Sequence, residues 1–234
     1  MAQSGISSLI NARWVIPVVP ENKILEHHTI AIDNAGDIVD VLPIEEAKKK
    51  YLNVPNVVDR PHHIVLPGLI NMHSHSPMVL LRGFADDMPL MDWLNNKIMP
   101  AEQKWVTPEF TKDGTTLAAA EMIRSGTTCF NDMYFFPEAS AEAIERIGMR
   151  AAFSSIILKF PSMYSDTLDG YFTKAQQLIK QYKNHPRIQI TLGPHAPYTV
   201  NDAQFERVVK MAHENNVKIH LHLHETAAEV EGGL

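Results

Sequence analysis

Val65-Leu66-Pro67-Gly68-Leu69-Ile70-Asn71-Met72-His73-Ser74-His75 is an apolar run that ends on two histidines two residues apart, and the character of the chain changes across it. Beyond it, short runs rich in β-branched residues alternate with longer helical patterns, the order expected of βα units around a parallel sheet. Strands are expected near Val65–Met72, Thr127–Asn131, Arg150–Leu158, Ile188–Leu192 and Val217–Leu223. Thr107 can cap a helix that has Pro108 in its first position and Gly126 just past its last turn. Further helices are expected over about 137–147, 170–182 and 202–214. A closed eight-stranded βα barrel takes about 200 to 250 residues. Only about 170 follow Ile64, so about five βα units of such a barrel are expected.

Upstream the pattern is different. Apolar stretches at Ser7–Val19, His28–Asp33 and Ile38–Leu42 are broken by turn residues, with Asn34-Ala35-Gly36-Asp37 placed to close a hairpin. A charged helical turn at Glu45–Tyr51 and a strand at Val57-Val58-Asp59 complete it. The expected domains are a small β domain over residues 1–63 and the βα domain over 64–234.

Hydrophobic residues make up 45% and charged residues 21% of the 234, the composition of a folded globular protein rather than a disordered one. The net charge is -6 with no basic block, which argues against nucleic acid as a partner. Cys129 is the single cysteine, so no internal disulfide supports an oxidising compartment. Met1-Ala2-Gln3-Ser4-Gly5 lacks the basic-then-apolar order of a secretory signal, and no run of about 18 apolar residues could span a bilayer. A cytoplasmic protein without a membrane partner is the expectation.

Of twelve histidines, five fall in two alternating clusters. His73 and His75 share one face at the end of the first expected strand, where two ring nitrogens can hold a metal; a His-x-His pair can equally just mark a strand end. Ile219-His220-Leu221-His222-Leu223-His224-Glu225 alternates strictly, which puts three imidazoles on one face of the fifth expected strand. Three inward imidazoles need partners, and a metal for one with hydrogen bonds for the others meets that need. Glu225, next to the cluster, is a candidate general acid/base, whereas Glu229 and Glu231 read as solvated loop carboxylates. His195, in Gly193-Pro194-His195-Ala196-Pro197-Tyr198, follows the fourth expected strand and reaches the same rim, where βα loops build active sites.

These stretches, together with Leu81-Arg82-Gly83-Phe84-Ala85-Asp86-Asp87, Leu90-Met91-Asp92-Trp93-Leu94 and Asn131-Asp132-Met133-Tyr134-Phe135, resemble the amidohydrolase superfamily. Within it they are similar to the branch of 5-methylthioadenosine/S-adenosylhomocysteine deaminases and triazine chlorohydrolases. The resemblance covers the chain from about residue 6 onward. It implies a (β/α)8 TIM-type barrel beside a small β-sandwich domain, one divalent metal, usually zinc, a small nucleoside as substrate, and commonly a homodimer. His73, His75 and His222 match the metal ligands, Glu225 the proton-shuttling glutamate, Glu102 a carboxylate that binds ribose hydroxyls, and Trp93 and His195 the pocket lining. The implied reaction is hydrolytic deamination of an adenosine-type nucleoside to the inosine-type product and ammonia. The family also uses a histidine after the sixth strand and an aspartate after the eighth, which residues 1–234 do not reach. Either a fragment of a chain about twice as long or a truncated product that does not turn over substrate is therefore expected, the fragment being favoured.

Three other readings compete. A triazine aminohydrolase or chlorohydrolase would share the barrel, but Glu102 has a task with a ribose and none with a triazine. A two-metal cyclic amidase would need a lysine on the fourth strand, and Ile188–Leu192 contains none. A non-catalytic subunit would have no use for intact His73, His75, His222 and Glu225. Imidazole ligands accept iron or manganese as well as zinc.

Overall fold

The computed structural model describes residues 5–233; Met1-Ala2-Gln3-Ser4, read above for a leader, and Leu234 lie outside the described residues. The chain divides into two compact units, one ending at Gly68 and one beginning at Leu69.

The first unit is one sheet. β1 (Ile6–Val15), β2 (Leu25–Asp33), β3 (Ile38–Pro43) and β4 (Asn56–Val65) lie in the order β3-β2-β1-β4, with α1 (Ile44–Lys50) following β3. β1 and β2 are antiparallel, β2 and β3 likewise, and β4 runs parallel to β1. The expected hairpin closes at the expected residues: the Asp33 carboxylate accepts from the N–H groups of Ala35 (2.8 Å) and Asp37 (3.0 Å), and Gly36 takes φ +90°. That is an Asx turn, which fixes the β2–β3 register. Ala12, Val15 and Ile30 form its small core. Within this unit the described residues form one sheet.

The second unit is α/β. β5 (Leu69–Ser74), β6 (Thr127–Tyr134), β7 (Arg150–Ile157) and β8 (Ile188–Pro194) form a wholly parallel sheet in chain order. Helices α4 (Pro108–Arg124), α5 (Pro137–Ile147), α6 (Leu168–Tyr182) and α7 (Asp202–Asn215) connect the strands or follow them. Thr107, Thr167 and Asn201 cap α4, α6 and α7 through their side chains, each cap contributing about 1 kcal/mol. Phe130, Phe153, Ile190 and Leu192 from the strands join Ile144, Tyr171, Leu178 and Val208 from the helices in one buried core.

Three differences from the sequence reading concern the site. The first expected strand is broken: β4 ends at Val65, and β5 starts only at Leu69, because Pro67 and Gly68 intervene. β6 runs on past Asn131 to Tyr134, since Asp132, which reads as a loop residue, is buried and paired. The fifth expected strand is a single parallel bridge, Leu192 to Ile219. Leu192 N–H donates to Lys218 O and His220 N–H to Leu192 O, both at 2.9 Å, and the next bond skips to His222 N–H on His195 O at 3.0 Å. Pro194 has no N–H to offer a continuing ladder. The stretch Ser76–Trp105, which carries motifs but no expected element, folds as a 3₁₀ turn (Ser76–Leu81), α2 (Leu90–Trp93), a π turn (Leu94–Ile98) and α3 (Met99–Trp105). No helix among the described residues is long and apolar enough to cross a membrane.

Candidate active site

β5 delivers His73 near its C-terminal end and His75 just past it. The Asp132 carboxylate holds that end in place by accepting from Ser76 N–H (2.5 Å) and the Ser74 hydroxyl (3.1 Å). Full burial raises the Asp132 carboxyl to about 6, against those hydrogen bonds, which favour its charged form. The 3₁₀ turn that follows is seated on α4, where Gly114 leaves no room for a side chain: a Cβ there would stand 2.5 Å from Pro77 O.

His222 comes from the segment bridged to β8. Its Nε2 lies 3.2 Å from His75 Nε2, and His73 Nε2 lies 3.3 Å from His75 Nε2. The three residues form the metal-competent cluster found among the described residues, with donor atoms all within 4.8 Å of one another. The donor set fits a divalent ion on chemical grounds. His75 Nδ1 donates to Met133 O (2.6 Å) and His222 Nδ1 to His195 O (2.8 Å), and carbonyls only accept. Both Nε2 atoms therefore present lone pairs to each other at 3.2 Å, which a cation between them would reconcile. Burial and the neighbouring imidazoles push His73 down to about 4, which keeps it a neutral ligand.

The cluster borders a cavity of about 380 Å³, within the range that holds small-molecule ligands. Six of the seven residues singled out by sequence line it: His75, His222, Glu225, His195, Glu102 and Trp93; His73 completes the metal cluster beside it. Glu225 is turned to the cavity because the backbone reverses at His224, which takes φ +57°. His224 is thereby exposed, and the third imidazole of the alternating run leaves the shared face. Glu229 is likewise no free loop carboxylate. From α8 (Ala227–Gly232) it accepts from the N–H groups of His224 (2.9 Å) and Glu225 (3.0 Å) and so holds the reversal.

Tyr198, to which the sequence reading gives no role, donates its hydroxyl to Glu225 Oε2 at 2.8 Å. Burial, then that hydrogen bond and the carboxylate charge, hold the phenol above its ordinary range. Across the cavity, burial raises the Glu102 carboxyl to about 7, and the Tyr134 hydroxyl beside it offsets this only in part. That hydroxyl is buried beside the carboxyl. His195 is pushed down to about 3 by burial, then by His222, His75 and His73, and is neutral. Met78, Leu94, Met99, Phe160 and Met163 add apolar wall.

The residues missed by sequence lie behind the imidazoles. Asn131, Ser154 and Thr191 are polar side chains inside β6, β7 and β8. Ser154 and Thr191 share a register position. A polar residue recurring near the middle of successive parallel strands was the available signal.

A family model described as the amidohydrolase family matches residues 64–232. A 5-methylthioadenosine/S-adenosylhomocysteine deaminase of Saccharophagus degradans is 43% identical over 226 residues, which cover 97% of this chain and 50% of that one. The protein of the same name from Thermodesulfovibrio yellowstonii is 40% identical, with 97% and 52% covered. The solved structure of an adenosine deaminase from Xanthomonas campestris, with bound zinc, superposes with TM-score 0.95 at 45% identity over 98% of this chain and 52% of that one. The atrazine chlorohydrolase TrzN of Arthrobacter aurescens, in complex with zinc, shares the fold at TM-score 0.82 and 23% identity, with 93% and 53% covered. The chain spans about half the length of the curated relatives it matches.

Proposed function

The chain belongs to the amidohydrolase family, and we propose that it carries the metal-binding half of a hydrolytic deaminase of adenosine-type nucleosides such as 5'-methylthioadenosine and S-adenosylhomocysteine. The carrying observation is the convergence of His73, His75 and His222 on the border of a cavity that also holds Glu225 and Glu102. The parallel arc β5–β8 is read as the first part of a (β/α)8 barrel, and the N-terminal sheet as part of a β-sandwich. Superposition on about half of the Xanthomonas campestris structure supports both readings.

His73, His75 and His222 would hold the ion, zinc being the one that relative carries. Held there, a divalent ion would lower the pKa of water toward about 7, the chemistry such a site supplies at neutral pH. Glu225 would take a proton from the attacking water and deliver it to a ring nitrogen of the purine as the oxygen adds to the amino-bearing carbon, then pass the adduct's hydroxyl proton to the amino group, which leaves as ammonia. Tyr198 keeps one Glu225 oxygen engaged and so fixes which oxygen faces the substrate. Glu102, with the Tyr134 hydroxyl beside it, would bind the ribose hydroxyls. Neutral His195 contributes hydrogen bonding without charge, and Trp93 with the apolar wall covers the base and the 5' substituent. A buried carboxylate on the wall favours a ribose-bearing substrate over a triazine.

The test is a deamination assay on the zinc-loaded protein with 5'-methylthioadenosine, S-adenosylhomocysteine and a chlorotriazine in parallel. Turnover of the nucleosides is expected, with Glu225→Gln keeping the metal and losing about 10²- to 10⁴-fold in rate. Turnover of the triazine alone, or a Glu225→Gln variant at normal rate, refutes the reading.

A further inference from the structure

A file of five polar side chains runs from the back of His73 into the sheet. His73 Nδ1 lies 2.7 Å from His220 Nε2, the rings meeting edge to edge with centroids 4.9 Å apart and planes 21° apart. The Asn131 amide nitrogen lies 2.9 Å from His220 Nδ1, the Ser154 hydroxyl donates to Asn131 Oδ1 at 3.3 Å, and Ser154 Oγ meets Thr191 Oγ1 at 2.8 Å. β6, β7 and β8 each supply one member.

The three candidate ligands are not held alike. The outer nitrogens of His75 and His222 face backbone carbonyls, which leave the ring proton only one place to be. The outer nitrogen of His73 faces another imidazole, which can donate or accept. The tautomer of His73 is therefore decided by His220, and that of His220 by Asn131. With the amide nitrogen toward His220 Nδ1, as in the structure, His220 carries its proton on Nε2 and donates to His73 Nδ1. Neutral His73 then carries its proton on Nε2, where a metal needs a lone pair. With the amide turned over, Asn131 Oδ1 accepts from His220 Nδ1–H, His220 Nε2 accepts from His73 Nδ1–H, and His73 Nε2 is bare. The Ser154 hydroxyl serves either orientation.

We infer that Asn131 and His220 are positioning residues that deliver His73 to the metal in its ligating tautomer, the Asn131 amide oxygen facing His220 in that arrangement. Both arrangements hold one proton per ring. From the first arrangement to the second, His73 Nε2 gives a proton to solvent, His220 Nδ1 takes one up, and the proton between the rings shifts from His220 Nε2 to His73 Nδ1. The inference rests on the metal site of the proposed function and adds to it the groups that orient one ligand.

The experiment uses the protein with and without zinc. Zinc affinity is measured by chelator competition for the parent protein, Asn131→Asp and Asn131→Leu. Long-range proton–nitrogen NMR of histidine-labelled protein reads the ring tautomers, with His220 assigned by its loss in His220→Gln. Asp presents only acceptors to His220 and is expected to bind zinc at least as tightly as the parent, whereas Leu loosens it about 10- to 100-fold. His220 is expected to be protonated at Nδ1 in the zinc form. Equal loosening by Asp and Leu, or Nε2 protonation of His220 in the zinc form, overturns the relay; should Asn131→Asp not fold, the parent's spectra decide. Zinc that binds the parent fully but ignores Asn131→Leu overturns the relay alone. A parent that binds no zinc overturns the proposed function with it.

Discussion

The two faces of the parallel sheet are built by the same strands to opposite ends. On one face, Phe130, Phe153, Ile190 and Leu192 pack with helix residues in a continuous apolar core. On the other, one residue along in each strand, Asn131, Ser154 and Thr191 line up behind the imidazoles. The apolar face has no directional preference beyond volume, so it supplies stability and a rigid base. The polar face supplies direction: each of its hydrogen bonds dictates where a proton sits on the next group. A catalytic constellation needs both, since ligands placed on a loosely packed sheet would lose their geometry.

The sharpest way to test this division is His222→Ala. Removing one of three converging nitrogens is expected to take zinc stoichiometry from one per chain to near zero while the helix-side core still unfolds cooperatively. Zinc retained at full occupancy would show that His222 is not a ligand. The converse variant, Phe153→Ala, empties a fully buried ring site on the apolar face and should lower unfolding free energy by about 3 to 5 kcal/mol. Zinc affinity of the folded protein should stay at the parent value. A parallel fall in affinity would mean that the two faces are not separable.

The smallest effect is a pH dependence. Burial holds the Glu102 carboxyl up near 7, so it is an acceptor-only carboxylate above that pH and protonated below it. If it binds ribose hydroxyls, nucleoside KM should rise as pH falls through 7, up to about tenfold per unit, with kcat less affected. Glu102→Gln should flatten that rise. A KM that is level from pH 8 to 6 in the parent removes Glu102 from ribose binding.

Much of the site was legible because its ligands obey local periods. His73 and His75 are two apart at a strand end, His220 and His222 two apart on the segment beside β8, and α4, α5 and α7 carry their punctuation in the sequence. His224 breaks the same period, because a left-handed residue is needed to bring Glu225 around, and nothing in an alternating run announces it. The part played by Tyr198 was also hidden, since its partner lies 27 residues away. Glu102 is in between: the family resemblance pointed to it, but its burial and raised pKa follow only from how α3 packs.

By itself the sequence carried the βα rhythm and the two histidine clusters with Glu225 beside the second, all through spacings of a few residues, while the family resemblance singled out His73, His75 and His222 as candidate ligands. Only the tertiary structure decided which imidazoles converge, which one steps aside, where the buried carboxyls of Asp132 and Glu102 sit on the pH scale, and what stands behind His73. The physical reason is the range of the forces. Backbone periodicity acts within one turn or one strand. Desolvation and hydrogen-bond direction depend on neighbours that are brought together from more than 100 residues apart, as His73 and His220 are.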